Sequence, residues 1–97
     1  LARVRAMVAG TPPEGYAGCC AAIRDMDQRD AIGAIDAETL VLTGREDPAT
    51  PPEAAEAIAG RIASADLHVI DGCAHISNIE KPDAFHAAVV PFLRTGM

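Results

Sequence analysis

The feature that most constrains the fold is a pair of short apolar segments separated by a helical pattern. Residues 39–43 (Thr-Leu-Val-Leu-Thr) end at Gly44, which is typical of a strand buried on both faces. Residues 67–70 (Leu-His-Val-Ile) predict a second strand. Two strands joined by a helix are normally parallel, with a right-handed crossover. The pattern therefore predicts an α/β fold. Because a two-stranded parallel sheet leaves both edges bare, further strands are expected outside these 97 residues.

Capping signals and apolar spacing predict the helices around these strands. Thr50 is expected to cap a helix that has Pro51 in its first position, and Glu53 would complete a capping box. The apolar face of this helix, at i, i+3, i+4 and i+7, consists of Ala55, Ile58, Ala59 and Ile62. A last helix begins at Pro82, and Pro91 is expected to kink or shorten it. The apolar stripe of this last helix consists of Phe85, Ala88, Val89, Phe92 and Leu93.

The first part of the chain also predicts helices. Residues 1–9 are typical of the end of a helix, and residues 29–38 form a polar connection to the first strand. Residues 11–14 repeat the Thr-Pro-Pro-Glu sequence of residues 50–53, which we interpret as convergent capping rather than duplication. The helix that follows carries, at helical spacing, Tyr16, Cys19, Cys20 and Ile23.

Composition limits both stability and partners. The chain has the length of one domain at most, and 20 of its residues are alanine, so a core made by this chain alone buries little area per residue. The net charge of −6 argues against a nucleic-acid or anionic-membrane partner. No apolar run approaches the roughly 20 residues of a membrane span, and no segment resembles a signal peptide. Because the adjacent Cys19 and Cys20 could form a disulfide only with strain, reduced thiols in a cytoplasmic protein are expected by default. Because the first residue is Leu1 rather than Met, we expect a piece of a larger protein.

Reactive residues follow both predicted strands at their carboxyl ends, where ligands bind in parallel α/β sheets. Asp47 lies in the loop after the first strand, and His75 lies in the loop after the second, 28 residues later. A carboxylate bonded to one imidazole nitrogen leaves the other nitrogen free as a general base. We interpret the pair as the acid and base of a hydrolytic triad, with Glu46 as the alternative acid. Taken alone, Asp47 would be interpreted as a turn aspartate before Pro48.

The nucleophile of such a triad is expected earlier in the chain, on a Gly-x-Ser-x-Gly turn between a strand and a helix. The two serines, Ser64 and Ser77, do not lie between glycines at that spacing. Cys19 and Cys20 precede the acid but lie on a predicted helix face, where cysteines usually pack as small hydrophobic residues. We therefore expect the nucleophile to lie outside this chain.

The remaining candidate residues are expected to have structural roles rather than to bind a metal or cofactor or to take part in catalysis. Asp71, Cys73 and His75 alternate by two, but this spacing matches no zinc pattern, so no metal is expected. No glycine-rich phosphate loop is present, so no nucleotide cofactor is expected. His68 and His86 are expected to be structural.

Two arginines stand next to aspartates in the first third of the chain. The pairs Arg24–Asp25 and Arg29–Asp30 are expected to be ion pairs at the surface or between helices. A role for Arg24 in holding a substrate carboxylate stays open. The odd number of cysteines does not predict a disulfide framework.

Two sets of motifs resemble a known superfamily. Residues 44–51 (Gly-x-x-Asp-Pro-x-Thr-Pro) and 71–85 (Asp-Gly-x-Ala-His, then Glu-x-Pro-x-x-Phe) resemble the carboxyl-terminal third of the α/β-hydrolase superfamily. Residues 15–25 and 74–80 are similar to the 3-oxoadipate enol-lactonase family, which serves the β-ketoadipate route of aromatic catabolism. The resemblance covers nearly the whole chain but only the last third of such an enzyme.

The resemblance implies a role for each part. Asp47 would be the triad acid and His75 the general base, while a serine outside this chain attacks a small lactone substrate, with no cofactor or metal. Residues 1–30 would be a helical segment of the cap or linker region, and residues 31–97 the C-terminal strand–helix–strand–helix part of the hydrolase domain. The partner would be the N-terminal remainder of the hydrolase, with its nucleophile elbow and oxyanion hole. Some relatives are joined to a carboxymuconolactone decarboxylase, and residues 94–97 do not decide this arrangement.

Three alternatives remain open. Haloalkane dehalogenases and carbon–carbon bond hydrolases share the same two loops, and an Asp nucleophile in place of Ser would distinguish the dehalogenases. The third alternative is a non-catalytic acidic module that self-associates through a bare sheet edge and alanine-rich helix faces. This alternative predicts oligomers in solution and no catalytic role for His75.

Overall fold

The computed structural model describes residues 1–95. The last two residues of the predicted C-terminal hydrolase part, Gly96 and Met97, lie outside the described residues. Strands and helices alternate from residue 39 onward, as the sequence predicts, and two helices precede them. The elements are α1 (Ala2–Ala9), α2 (Pro13–Asp25), a 3₁₀ turn (Ala31–Ala34), β1 (Thr39–Gly44), α3 (Pro52–Ala59), β2 (Ala65–Ile70), α4 (Ser77–Glu80) and α5 (Pro82–Thr95).

The two strands pair in parallel, which confirms the predicted strand pairing. The register runs from Thr39 opposite Ala65 to Gly44 opposite Ile70. α3 packs against both strands and α5 packs against β2. The prediction of a strand buried on both faces is correct only at the carboxyl end of β1, where Thr43 and Gly44 are buried. The rest of β1 is half-buried, because within the described residues the sheet has two strands.

The two predicted Thr caps are wrong. α3 begins at Pro52 with Pro51 as its N-cap and without a side-chain cap. The hydroxyl of Thr50 instead bonds a side chain in the preceding loop. At α2 the N-cap is Pro12, and the Thr11 hydroxyl donates back to a carbonyl of α1 over 3.0 Å. In both places the second proline already has the φ that a first helical residue requires, so the helix starts one residue later than expected.

α5 runs through Pro91 to Thr95, so the expected shortening does not occur. Most of its predicted stripe is half-buried, but Leu93 is 73% exposed. The half-buried members of the stripe are Phe85, Ala88, Val89 and Phe92. α4 lies in a segment that the sequence assigns to a loop.

Most of the buried residues lie at or near the carboxyl ends of the two strands, whereas Ile62 lies just before the start of β2. Among residues 1–95, the buried apolar side chains are Ala55, Ile62, Ile70 and Cys73. The buried polar residues are Thr43, Asp47 and Ser77, and all of them lie in or next to the loops that follow the strands. α1 and α2 contain no buried residue. The best-packed part of the chain is therefore the part that positions these two loops.

Candidate active site

Backbone hydrogen bonds join the two loops that follow the strands. The N–H of Arg45 donates to the carbonyl of Ile70 over 2.9 Å, and the N–H of Glu46 donates to the carbonyl of Cys73 over 2.9 Å. The side chains of Arg45 and Asp71 form an ion pair above these bonds. The loops therefore form one unit, and the side chains that they carry are fixed relative to each other.

Gly44 makes this close approach possible. A Cβ atom at this position would lie 2.5 Å from the carbonyl oxygen of Cys73 and would also collide with the carbonyl oxygen of Ala74. Only glycine lets the end of β1 lie directly against the loop of the next strand. Gly72, which turns that second loop, has a φ of +69°, a conformation that side chains with a Cβ rarely adopt.

Asp47 is buried and accepts hydrogen bonds at both of its carboxylate oxygens. Oδ1 accepts the backbone N–H groups of Ala49 (2.9 Å) and Thr50 (3.0 Å). Oδ2 accepts the Thr50 hydroxyl over 2.8 Å and Nδ1 of His75 over 2.8 Å. The Thr50 backbone bond, the largest cause, and the other bonds hold the pKa of Asp47 far below its usual range, although burial acts in the opposite direction. The carboxylate is therefore ionised at neutral pH.

His75 meets the buried carboxylate from the solvent side. Its side chain is 60% exposed, whereas that of Asp47 is 4% exposed. Since an ionised carboxylate only accepts hydrogen bonds, Nδ1 must carry the hydrogen of the 2.8 Å bond. In the neutral imidazole, Nε2 is then without a hydrogen and can accept a proton from a hydroxyl group. The structure thus brings together the two residues that the sequence selects, and their arrangement suits general base chemistry.

Two further residues support this pair and were not predicted as site residues. Thr50 bonds Asp47 and lies 3.3 Å, Oγ1 to Nδ1, from His75. Glu80, at the end of α4, accepts the N–H of Ala74 over 2.8 Å and so ties α4 to the residue before the histidine. Glu80 is part of the motif quoted above, but its spacing alone does not indicate a bond to the loop.

The alternative acid and the alternating metal candidates do not form a site. Glu46 is exposed, and the histidine bonds Asp47 instead. Asp71 pairs with Arg45, whereas Cys73 is buried, which raises the pKa of its thiol. Across residues 1–95, no three His, Cys, Asp or Glu side chains are grouped closely enough to hold a metal ion.

The other histidines, cysteines and serines lie away from this arrangement. His68 is exposed on β2, and His86 packs its ring edge-on against Phe85 on α5. Cys19 and Cys20 are exposed on α2. Neither serine lies on a sharp Gly-x-Ser-x-Gly turn, since Ser64 directly precedes β2 and Ser77 begins α4 between Ile76 and Asn78.

Of the two predicted arginine pairs, one is confirmed. Arg24 donates to Asp25 over 2.9 Å at the surface. Arg29 bonds Asp27 rather than Asp30: its guanidinium (2.9 Å) and its backbone N–H (3.2 Å) both donate to Asp27 Oδ1. Among residues 1–95, no helix combines the length and the apolar composition of a membrane span.

The sequence of this chain is similar to those of known hydrolases. The family model for the alpha/beta hydrolase fold matches residues 1–82. The chain is 38% identical over 76 residues to 3-oxoadipate enol-lactonase 2 of Acinetobacter baylyi, a match that covers 78% of this chain and 28% of that protein. It is 43% identical over 63 residues to 2-hydroxymuconate semialdehyde hydrolase of a Pseudomonas species, covering 65% and 22% of the two chains.

Solved structures of hydrolases also superpose on this chain. The enol-lactonase from Burkholderia xenovorans superposes with a TM-score of 0.91 at 39% identity, covering 96% of this chain and 35% of that one. A hydrolase from Pseudomonas aeruginosa superposes with a TM-score of 0.88 at 43% identity, covering 94% and 34%. This chain thus spans about a third or less of the length of these relatives. The matched residues, the parallel strands and the placement of the two loops together establish that the chain belongs to the α/β-hydrolase family.

Proposed function

We propose that this chain is the acid-and-base part of a lactone hydrolase that converts 3-oxoadipate enol-lactone into 3-oxoadipate. The observation that carries the proposal is the 2.8 Å hydrogen bond between His75 Nδ1 and Asp47 Oδ2, at the carboxyl ends of two parallel strands. The choice of substrate rests on the similarity to the enol-lactonases of Acinetobacter baylyi and Burkholderia xenovorans.

The nucleophile in this proposal is a serine from a segment that precedes this chain, in the order Ser, Asp, His. Nε2 of His75 removes the hydroxyl proton, and the serine oxygen attacks the lactone carbonyl. When the ring C–O bond breaks, the imidazolium returns the proton to the leaving enol oxygen. The same nitrogen then takes a proton from water, which attacks the acyl-enzyme, and finally returns that proton to the serine. Asp47 stabilises the imidazolium at both steps.

Variants of the complete hydrolase test the roles of the two residues. Its coding sequence, with the upstream segment that carries a Gly-x-Ser-x-Gly turn, is expressed and assayed for hydrolysis of the enol-lactone. His75→Ala and Asp47→Asn are expected to lower kcat/KM by about 10³-fold or more, because each removes the base or its correct tautomer. Glu46→Gln, one position from the acid and exposed, serves as the matched control and should retain activity.

Two outcomes would contradict the proposal. A loss of less than about tenfold from both variants would reject the acid and base roles. Lactone turnover by the purified 97-residue chain, which we expect to be inactive, would show that the nucleophile lies within it.

A carbon–carbon bond hydrolase is the second candidate function. The observation that favours it is the 43% identity to 2-hydroxymuconate semialdehyde hydrolase, although that match covers less of the chain than the enol-lactonase match. The same acid and base can serve either reaction. Parallel assays of the complete enzyme with the enol-lactone and with 2-hydroxymuconate semialdehyde decide between the two functions. A higher kcat/KM for the semialdehyde would favour the carbon–carbon bond hydrolase and contradict the proposed lactonase. An upstream Asp nucleophile would instead indicate a dehalogenase.

A further inference from the structure

Thr50 touches both members of the acid–base pair. Its Oγ1 lies 2.8 Å from Asp47 Oδ2 and 3.3 Å from His75 Nδ1. Its backbone N–H donates to Asp47 Oδ1 over 3.0 Å. It thus contacts both oxygens of the acid, and its hydroxyl reaches the ring nitrogen that the acid also binds.

The surrounding backbone holds this hydroxyl in place. The carbonyl of Thr50 accepts the hydroxyl of Thr43, a buried residue of β1, over 3.3 Å. The next residue is Pro51, the N-cap of α3, whose ring restricts the conformation of the residue before it. Thr50 is therefore fixed from the strand on one side and from the helix on the other.

The single hydroxyl hydrogen of Thr50 adds to the preference that Asp47 imposes on the tautomer of His75. It points to the carboxylate, because that distance is shorter and a bond to an ionised acceptor is stronger than one to a neutral ring nitrogen. The oxygen lone pairs of Thr50 then face Nδ1. A hydrogen on Nδ1 is shared between Asp47 Oδ2 and Thr50 Oγ1, whereas an Nδ1 lone pair would face two oxygen atoms and be repelled.

We propose that Thr50 is a positioning residue whose hydroxyl holds the Asp47–His75 pair in the tautomer with hydrogen on Nδ1. This tautomer leaves Nε2 free to act as the base. The consequence for turnover rests on the proposed function, but the effect on the tautomer does not.

Nitrogen-15 NMR of the 97-residue chain tests the proposal without any catalysis, and every variant also carries Ile23→Lys at an exposed apolar position to limit self-association. His68→Gln and His86→Gln, at positions away from the site, leave a single histidine whose two ring nitrogens report the tautomer at alkaline pH. Thr50→Val replaces the hydroxyl by a methyl group of similar size, and we expect the ratio of the Nδ1–H to the Nε2–H tautomer to fall about tenfold. Thr50→Ser, which retains the hydroxyl, should preserve the ratio of the parent chain.

Several results would overturn the proposal. An unchanged tautomer ratio in a folded Thr50→Val variant contradicts it, and so does a Thr50→Ser variant that behaves like Thr50→Val. If Thr50→Val does not fold, Thr50→Ala removes the hydroxyl with less bulk and is compared with Thr50→Ser in the same way.

Kinetics of the complete hydrolase separate this proposal from the proposed function. Thr50→Val should lower kcat for the enol-lactone about tenfold with little change in KM, and Thr50→Ser should restore it. If the enzyme has no lactonase activity, the proposed function fails while the tautomer ratio still decides the role of Thr50. If the enzyme is active and the ratio does not respond, the positioning role alone fails.

Discussion

At the scale of single residues, Asp47 makes two sets of contacts that correspond to the two interpretations which the sequence presents as alternatives. Its Oδ1 accepts the N–H groups of Ala49 and Thr50, which is the behaviour of a turn aspartate. Its Oδ2 contacts Nδ1 of His75, which is the contact that the proposed triad acid requires. The turn bonds hold the carboxylate rigid and ionised, so they prepare it for the histidine. The turn interpretation and the catalytic interpretation therefore support each other.

The lowered pKa of Asp47 predicts how stability depends on pH. Because the folded pKa lies below the unfolded value, ionised Asp47 stabilises the fold above about pH 4, and this contribution is lost as the pH falls further. In urea titrations followed by circular dichroism, Asp47→Asn should be markedly less stable than the parent chain at pH 7. The difference should shrink between about pH 4 and pH 2.

Asp27→Asn is the matched control for this effect. Its hydrogen-bonded ion pair with Arg29 lowers the pKa of Asp27 to about 2, but that pair is exposed. Its contribution should be small and should weaken further in high salt, whereas the hydrogen bonds to Asp47 should be far less sensitive to salt. A stability difference for Asp47→Asn that stays constant from pH 7 to pH 2 would show that the carboxylate charge contributes nothing.

The sequence could predict the meeting of Asp47 and His75 but not the part that Thr50 plays. Parallel strands dictate that their following loops lie at one edge, so the pair follows from topology. Thr50 stands before two prolines, where capping statistics favour a helix cap. Its actual role depends on which proline begins α3, and this is a local backbone choice that residue spacing does not determine.

At the scale of elements, the packing of the β1 end against the following loop depends on Gly44. Gly44→Ala should destabilise the chain by about 2 kcal/mol or more, because the added methyl group meets backbone carbonyls that cannot move without breaking the Glu46–Cys73 bond. The measurement is urea unfolding followed by circular dichroism. Gly18→Ala is the control, since nothing lies within 4 Å of that position in α2 and alanine favours a helix by about 0.5–1 kcal/mol. Equal stability of the two variants would mean that the loops do not depend on this close approach.

Elements differ in how far their sequences reveal them. The strands and α3 are predictable because part of their apolar spacing reflects the core that they contact. In α3 the predicted face is only partly correct: Ala55 is buried, but Ile58 is exposed, and the helix ends at Ala59 before the buried Ile62.

α4 has only four residues, which is too short for any helical period, and its end is held by the Glu80–Ala74 bond. α2 is correctly predicted as a helix, yet its apolar side chains, Tyr16 and Ile23 among them, are exposed. Periodicity predicts that a face is apolar, but it does not identify what covers that face.

At the scale of the whole molecule, the chain is more open than an independent domain of its length. Its radius of gyration is 15.3 Å, compared with about 13 Å for a compact domain of about 100 residues. Its accessible surface is 7225 Å², whereas scaling from other small proteins of this mass gives about 5,300 Å². The excess is similar to the area that a large protein–protein interface buries. Much of it lies on α1, α2 and the middle of β2, where Asp66, Leu67 and His68 are exposed.

This open surface predicts self-association of the isolated chain. We expect sedimentation velocity at micromolar concentration to show oligomers, because apolar side chains such as Tyr16 and Ile23 gain free energy when a second copy covers them. Ile23→Lys should shift the distribution towards monomer, while Gln28→Lys, which adds the same charge at an exposed polar position just beyond the helix, should not. In the complete hydrolase the preceding segment would cover the same surface, so Ile23→Lys should lower its stability rather than change its association. A monodisperse, folded monomer of the isolated chain would show that this surface can remain exposed to water. It would then remove the physical reason to expect either a second copy or the preceding segment on this surface.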